Sequence, residues 1–121
     1  MTIVIMLPWP AVALSPNSRE RWHKIAALKQ ARADARYLAL EQAPRARLPK
    51  DAPLSVTWLF CRPTAARRDL DNLISACKGY QDGIADALNF NDAQIQSVTG
   101  AWGEPVKGGR VELRIDALVR P

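Results

Sequence analysis

Cysteine, histidine and long apolar runs are all scarce in this chain, and each scarcity closes off a class of protein. The two cysteines, Cys61 and Cys77, show neither metal-ligand spacing nor a disulfide framework. Both lie in apolar stretches, which predicts buried, reduced thiols. The single histidine, His23, falls on a predicted helix, and no catalytic role is assigned to it. No apolar stretch reaches the length of a membrane span. The first fifteen residues are apolar and Ala11-Val12-Ala13 looks like a cleavage site, but no Lys or Arg precedes the run, and Pro8 and Pro10 interrupt it. The expectation is a cytoplasmic protein without a removed leader and without a membrane partner. There is no internal repeat and no low-complexity segment.

What is abundant is positive charge. The chain has 121 residues, 48% of them hydrophobic, and a net charge of +5. That length fits one domain over residues 1–121 with a real core. Its sequence pI is near 9.7. The basic balance favours polyanionic partners, nucleic acid first and an acidic membrane surface second.

Ile3–Leu7 is a β-branched run without alternation and reads as a strand covered on both faces, ended by Pro8-Trp9-Pro10. Ser15-Pro16-Asn17-Ser18 is a turn, with Ser18 as N-cap of a helix from Arg19 to about Leu40. On that helix Trp22, Ala26, Ala33, Tyr37 and Leu40 form an apolar stripe. Arg21, Lys24, Lys29, Arg32 and Arg36 share a neighbouring arc, which is either a solvated flank or a phosphate-contacting surface. Residues 43–53, with three prolines, form a loop. Leu54–Phe60 alternates as a strand with Leu54, Val56, Trp58 and Phe60 on one face. A second helix opens at Asp69, burying Leu73, Cys77, Tyr80, Ile84 and Leu88, and ends at Asn89 and Asn91, which tolerate a left-handed conformation. Residues 94–102 and 111–117 read as strands joined by a glycine-containing turn into an antiparallel hairpin. The expected fold class is α+β: a two-layer domain of order β-α-β-α-β-β, with a mixed sheet and two main helices.

The chemistry concentrates at Arg67-Arg68-Asp69-Leu70-Asp71-Asn72, with a further acid at Asp92. Gathered carboxylates repel unless a cation lies between them, and Mg²⁺ prefers oxygen ligands, commonly one or two carboxylates plus phosphate and water. Adjacent arginines suit phosphate. With Asp71 as zero on the helical wheel, Ser75, Lys78 and Asp82 fall within roughly 40° of it, a polar stripe on a helix whose other face is core. The plainer readings are Asp69 as a helix cap, Asp71 as a helix-dipole partner and Lys78–Asp82 as a surface pair. An EF-hand is excluded, since the glycine and glutamate its loop requires are missing.

Asp69-Leu70-Asp71-Asn72-Leu73, then Asp92-Ala93-Gln94-Ile95, then Lys107-Gly108-Gly109-Arg110-Val111-Glu112-Leu113 resemble the RusA family of phage-derived Holliday junction resolvases. So do Leu7-Pro8-Trp9-Pro10 and the Arg67-Arg68 pair, and the resemblance runs nearly the whole chain in the same order. It implies a homodimeric, Mg²⁺-dependent crossover junction endodeoxyribonuclease of DNA recombination and repair, bacterial and prophage- or phage-encoded. Asp69, Asp71 and Asp92 would be the metal-binding, catalytic carboxylates, and Mn²⁺ is the alternative ion. The family's best-known member carries its lysine one turn after the second aspartate. Here Ser75 holds that position and Lys78 lies a turn later, as though a few residues were inserted after Asn72.

The mechanism these residues suggest has Asp69, Asp71 and Asp92 binding metal, which activates water, while Lys78 stabilises the scissile phosphate or leaving oxygen. Arg67, Arg68, Lys107 and the α-helical cations Arg21, Lys24, Lys29, Arg32 and Arg36 would position the DNA backbone. Two rival readings remain: a non-enzymatic nucleic-acid-binding protein with structural acids, and a metal nuclease acting on flaps or forks.

Overall fold

Alternation of buried and exposed residues builds the sheet. The computed structural model describes residues 1–14, 21–65 and 68–118. The expected turn at Ser15–Ser18, the helix start at Arg19, the side chains of Arg21 and Trp22, and Arg67 all lie outside the described residues. Strands β1 (Thr2–Leu7), β2 (Leu54–Cys61), β3 (Ile95–Trp102) and β4 (Arg110–Ala117) form one sheet in the order β1-β4-β2-β3. Helix α1 spans Arg21–Gln42, and α2 (Leu70–Ala76) and α3 (Lys78–Leu88) follow β2. The described residues thus form an α+β arrangement with a mixed four-stranded sheet and three α-helices.

Rows of like-facing residues cross the sheet: Ile5 pairs with Leu113, Leu113 with Trp58, and Trp58 with Gly100. Ile5, Leu113, Ile115, Val56 and Phe60 are fully buried on this face. The alternation read in β2 and β4 is therefore the alternation that packs.

Strand β1 differs from its expectation. Ile3, Ile5 and Leu7 are buried, but Val4 is 43% exposed. The run is apolar on both faces, yet the strand is at the sheet edge and only one face is covered. Part of its free edge is closed by a side chain. Gln42 Nε2 donates to the Met6 carbonyl at 2.8 Å, and the Met6 N–H donates to Gln42 Oε1 at 2.7 Å. The amide thus takes the place of a neighbouring strand, one means of blunting an edge.

The expected β3–β4 hairpin does not form. Strand β3 pairs parallel to β2, and β4 inserts antiparallel between β1 and β2. The Gly108 and Gly109 turn is real, with φ of 80° and 74° and the Gly109 N–H bonded to the Val106 carbonyl. Val111, Leu113 and Ile115 of β4 are fully buried between β1 and β2, while polar β3 is exposed along most of its length and suits an edge.

The second helix is two helices. At Cys77 the N–H is shared between the Leu73 carbonyl (3.2 Å) and the Ile74 carbonyl (3.1 Å), and the chain breaks into α2 and α3. The expected core face holds across the break: Cys77, Tyr80, Ile84 and Leu88 are buried and Leu73 packs against them. Cys61 and Cys77 are free, buried thiols, and burial pushes the Cys77 pKa up to about 12. Asn89 caps α3 in the left-handed region, as expected. Asn91 does not share that conformation. It is extended and caps the next short turn.

Helix α1 turns the opposite face inward from the one expected. Tyr37 is 67% exposed and Leu40 43%, and Ala26 and Ala33 are exposed. The buried residues are Ala31, Ala35 and Ala39, with Ala27, Leu28 and Leu38 beside them. The cause lies in α3. A Cβ at Gly83 would stand 2.1 Å from the Arg32 carbonyl oxygen, and one at Gly79 would stand 3.2 Å from Ala31 Cβ. The two backbones approach so closely that only small residues fit the seam, so the larger apolar side chains are left outside.

Candidate functional site

Asp69 is fixed by the helix it begins. It is extended (φ −94°, ψ 118°), and its Oδ1 accepts from the Asp71 N–H at 3.0 Å, an N-cap. Asp71 follows in the first turn of α2, and both carboxylates are exposed. Neither has an ion-pair partner among the described residues. Asp69 lines a hollow of about 570 Å³ together with Arg68, Leu70 and Trp102.

Lys78 opens α3 and bridges two carboxylates. Its Nζ lies 2.8 Å from Asp82 Oδ1 and 2.5 Å from Asp92 Oδ2. Gln81 Nε2 donates to the other Asp92 oxygen at 3.3 Å. Asp92 reaches this position through a 3-10 turn, Asp92–Gln94. A capping box holds that turn: Asn91 Oδ1 accepts from the Ala93 N–H, and Gln94 Oε1 accepts from the Asn91 N–H, each at 2.9 Å. Gln94 Nε2 also donates to the Ala52 carbonyl, tying the turn to the preceding loop. The Asp92 carboxyl is held below its ordinary pKa, first by the hydrogen bond from Lys78. Burial is the largest single influence on Lys78 and pulls its pKa down. The hydrogen bonds and charges of Asp82 and Asp92 together outweigh it, and the net shift is upward.

Arg32 belongs to the same neighbourhood, with a partner that sequence spacing did not suggest. Its Nε and one terminal nitrogen bond the two Asp86 oxygens at 2.7 and 2.9 Å, a two-pronged pair from α1 to α3. Arg32, Lys78, Asp82, Asp86 and Asp92 line a hollow of about 330 Å³. Lys29, Arg36, Arg68 and Lys107 are exposed and Lys24 half-exposed.

The structure therefore brings Lys78 to Asp92, across fourteen residues, and places Asp69 in a separate hollow. The wheel that put Lys78 on the Asp71 face crosses the break at Cys77. Among the described residues no three His, Cys, Asp or Glu side chains converge in a group that could hold a metal ion. Sequence reasoning missed Asp86, Gln81 and Trp102. Gln81 stands three residues after Lys78, a spacing that puts it on the same side of α3.

No helix among the described residues is long and apolar enough to cross a membrane. No protein-family profile matches the chain. A protein of Xylella fastidiosa strain Temecula1, carrying the name "Uncharacterized protein", is 35% identical over 118 residues, which covers 96% of this chain and 77% of that protein. Identity and coverage of that size place this chain in the same family as the Xylella fastidiosa protein.

Proposed function

We propose that the protein is an Mg²⁺-dependent, structure-selective endodeoxyribonuclease that nicks branched DNA, four-way junctions foremost, as a homodimer. One observation carries the reading. Asp69 and Asp71 are exposed carboxylates two residues apart with no ion-pair partner among the described residues, directly after Arg68. Such a pair is left for an external cation to neutralise. The donor set is all oxygen and suits a hard ion. Mg²⁺ needs only one or two carboxylates beside water and substrate phosphate, so Asp69 and Asp71 suffice to hold it. Asp92 is the third acid, with both oxygens already accepting from Lys78 and Gln81. When bound, the ion supplies an activated water and offsets charge on the scissile phosphate.

The chain's own groups do the rest. Asp92 and Asp82 hold the Lys78 ammonium in one place, which spares the reorganisation a free lysine would need before it meets developing charge. Arg68 orients the backbone in two-pronged fashion, with Lys24, Lys29, Arg36 and Lys107 as further phosphate contacts. Arg21 and Arg67 belong to the same proposed set. Arg32 contributes less, because Asp86 occupies its guanidinium.

A second reading is a non-enzymatic DNA-binding protein. It is favoured by Asp69 serving as a helix cap and by the Lys78–Asp82 pair at i,i+4 spacing. Incubation with a fixed four-way junction, a flap and a fork, each with and without Mg²⁺, separates the readings. The proposal expects paired nicks in the junction only with the metal. Binding without cutting under all conditions would sink it.

A further inference from the structure

We propose that the hollow between the start of α2 and the end of β3 is a nucleobase site, with Trp102 as the platform for a base that has left its stack. The inference rests on the reading above that the substrate is branched DNA.

Trp102 ends β3 and pairs in register with Phe60, on the helix side of the sheet. Its ring is braced. Phe60 lies 6.2 Å away, tilted by 57°, and the Arg62 guanidinium carbon sits 4.7 Å from the ring centroid. The next residue is anchored too, since the Gly103 N–H donates to the Phe60 carbonyl at 2.9 Å. Despite these contacts Trp102 remains 36% exposed. It lines the 570 Å³ hollow with Arg68, Asp69 and Leu70.

An aromatic side chain, an apolar side chain, a cation and a candidate metal ligand thus share one concavity. Every base has a π face, so stacking on an aromatic side chain is strong and tolerant of sequence. The phosphate attached to that base is an anion, and Arg68 is the complementary charge. In a continuous duplex the bases are stacked on both sides and cannot enter. Where strands exchange partners, unstacking costs less. Trp102 would therefore separate branched from linear DNA, and Asp69 in the same hollow would set the scissile phosphate beside the captured base.

Binding of the full chain to a fixed four-way junction and to a linear duplex, without divalent cation, tests this. Trp102→Leu keeps an apolar contact for Phe60 and removes the π face, and Trp102→Phe keeps an aromatic ring. The expected result is a loss of about 10-fold or more in junction affinity for Trp102→Leu, with duplex affinity within about twofold, and most of the affinity retained by Trp102→Phe. A 2-aminopurine at the branch point should change its fluorescence with wild-type protein and not with Trp102→Leu. Equal weakening on both DNAs, or no weakening on either, would overturn the assignment. So would a wild-type chain without junction preference. If Trp102→Leu does not fold, absence of a 2-aminopurine response to the wild type overturns it alone. Because the assay needs no cutting, a chain that prefers junctions through Trp102 yet cleaves nothing would end the nuclease reading and leave this site standing. Normal junction binding by Trp102→Leu in a chain that cuts would do the reverse.

Discussion

Asp69 and Asp71, at the start of α2, have no ion-pair partner among the described residues, whereas Asp82 and Asp92, around α3, share the ammonium of Lys78. The residue types are alike and the electrostatics are opposite. Around Lys78 two carboxylates share one internal ammonium, with Arg32 and Asp86 adding a second internal pair. At α2 no cation among the described residues pairs with the two carboxylates. A closed network orients its members. An open pair invites a cation from outside. The contrast underlies the proposal that Asp69 and Asp71 bind the metal and that Lys78 stabilises charge.

The largest consequence concerns Asp71. Asp71→Asn removes half of the open pair and should abolish nicking while leaving junction binding intact or tighter, since negative charge near phosphate is lost. A gel assay of nicked product beside a binding titration measures both. Cutting at the wild-type rate would remove the distinction between the two places.

Next comes Lys78. Lys78→Ala should slow cleavage about 100-fold, the scale seen when one charge-stabilising donor is removed. Its melting temperature should barely move, because Lys78 is half exposed and such pairs are worth about 0–1 kcal/mol. Normal single-turnover rates in this variant would reduce the cluster to a surface network.

Asp69 carries both a charge and a cap, and two substitutions separate them. Asp69→Ala should cost about 1 kcal/mol in a urea melt through the lost cap, whereas Asn caps nearly as well and should cost little. Both should lose activity if the carboxylate is what matters. An active Asp69→Asn would make the residue a cap and nothing more.

Asp92 should give the smallest effect, and one that depends on pH. Its folded pKa is depressed, so the contribution is present above the unfolded value of about 3.9 and is lost as pH falls through the lower folded value. Asp92→Asn should therefore cost under about 1 kcal/mol at pH 7 and nothing once the carboxyl is protonated. Chemical denaturation across that range checks it. A difference that persists in strong acid would point to packing instead of charge.

Legibility followed locality. The faces of β2 and β4 and the core of α2 and α3 could be read because each is a short-period pattern in one segment. Strand pairing is not local: the Gly108-Gly109 turn suggests a hairpin, but β4 pairs with β1 and β2 and not with β3. The inward face of α1 was misread because Ala31 and Ala35 are weakly hydrophobic, and only Gly79 and Gly83 on another helix make them the right size. In the site, the Lys78–Asp82 spacing was visible. The Lys78–Asp92 contact depended on where the 3-10 turn lands, and the Trp102 hollow on a strand pairing that sequence did not suggest.

Titration of the wild-type chain with Mn²⁺, followed as paramagnetic broadening of backbone amide signals, compares the two acid-bearing places in one experiment. The open-pair assignment predicts that signals of residues 69–72 broaden first, that Asp71→Asn abolishes the effect, and that Lys78→Ala leaves it in place. Broadening centred on Asp82 and Asp86, or unchanged in Asp71→Asn, would contradict it.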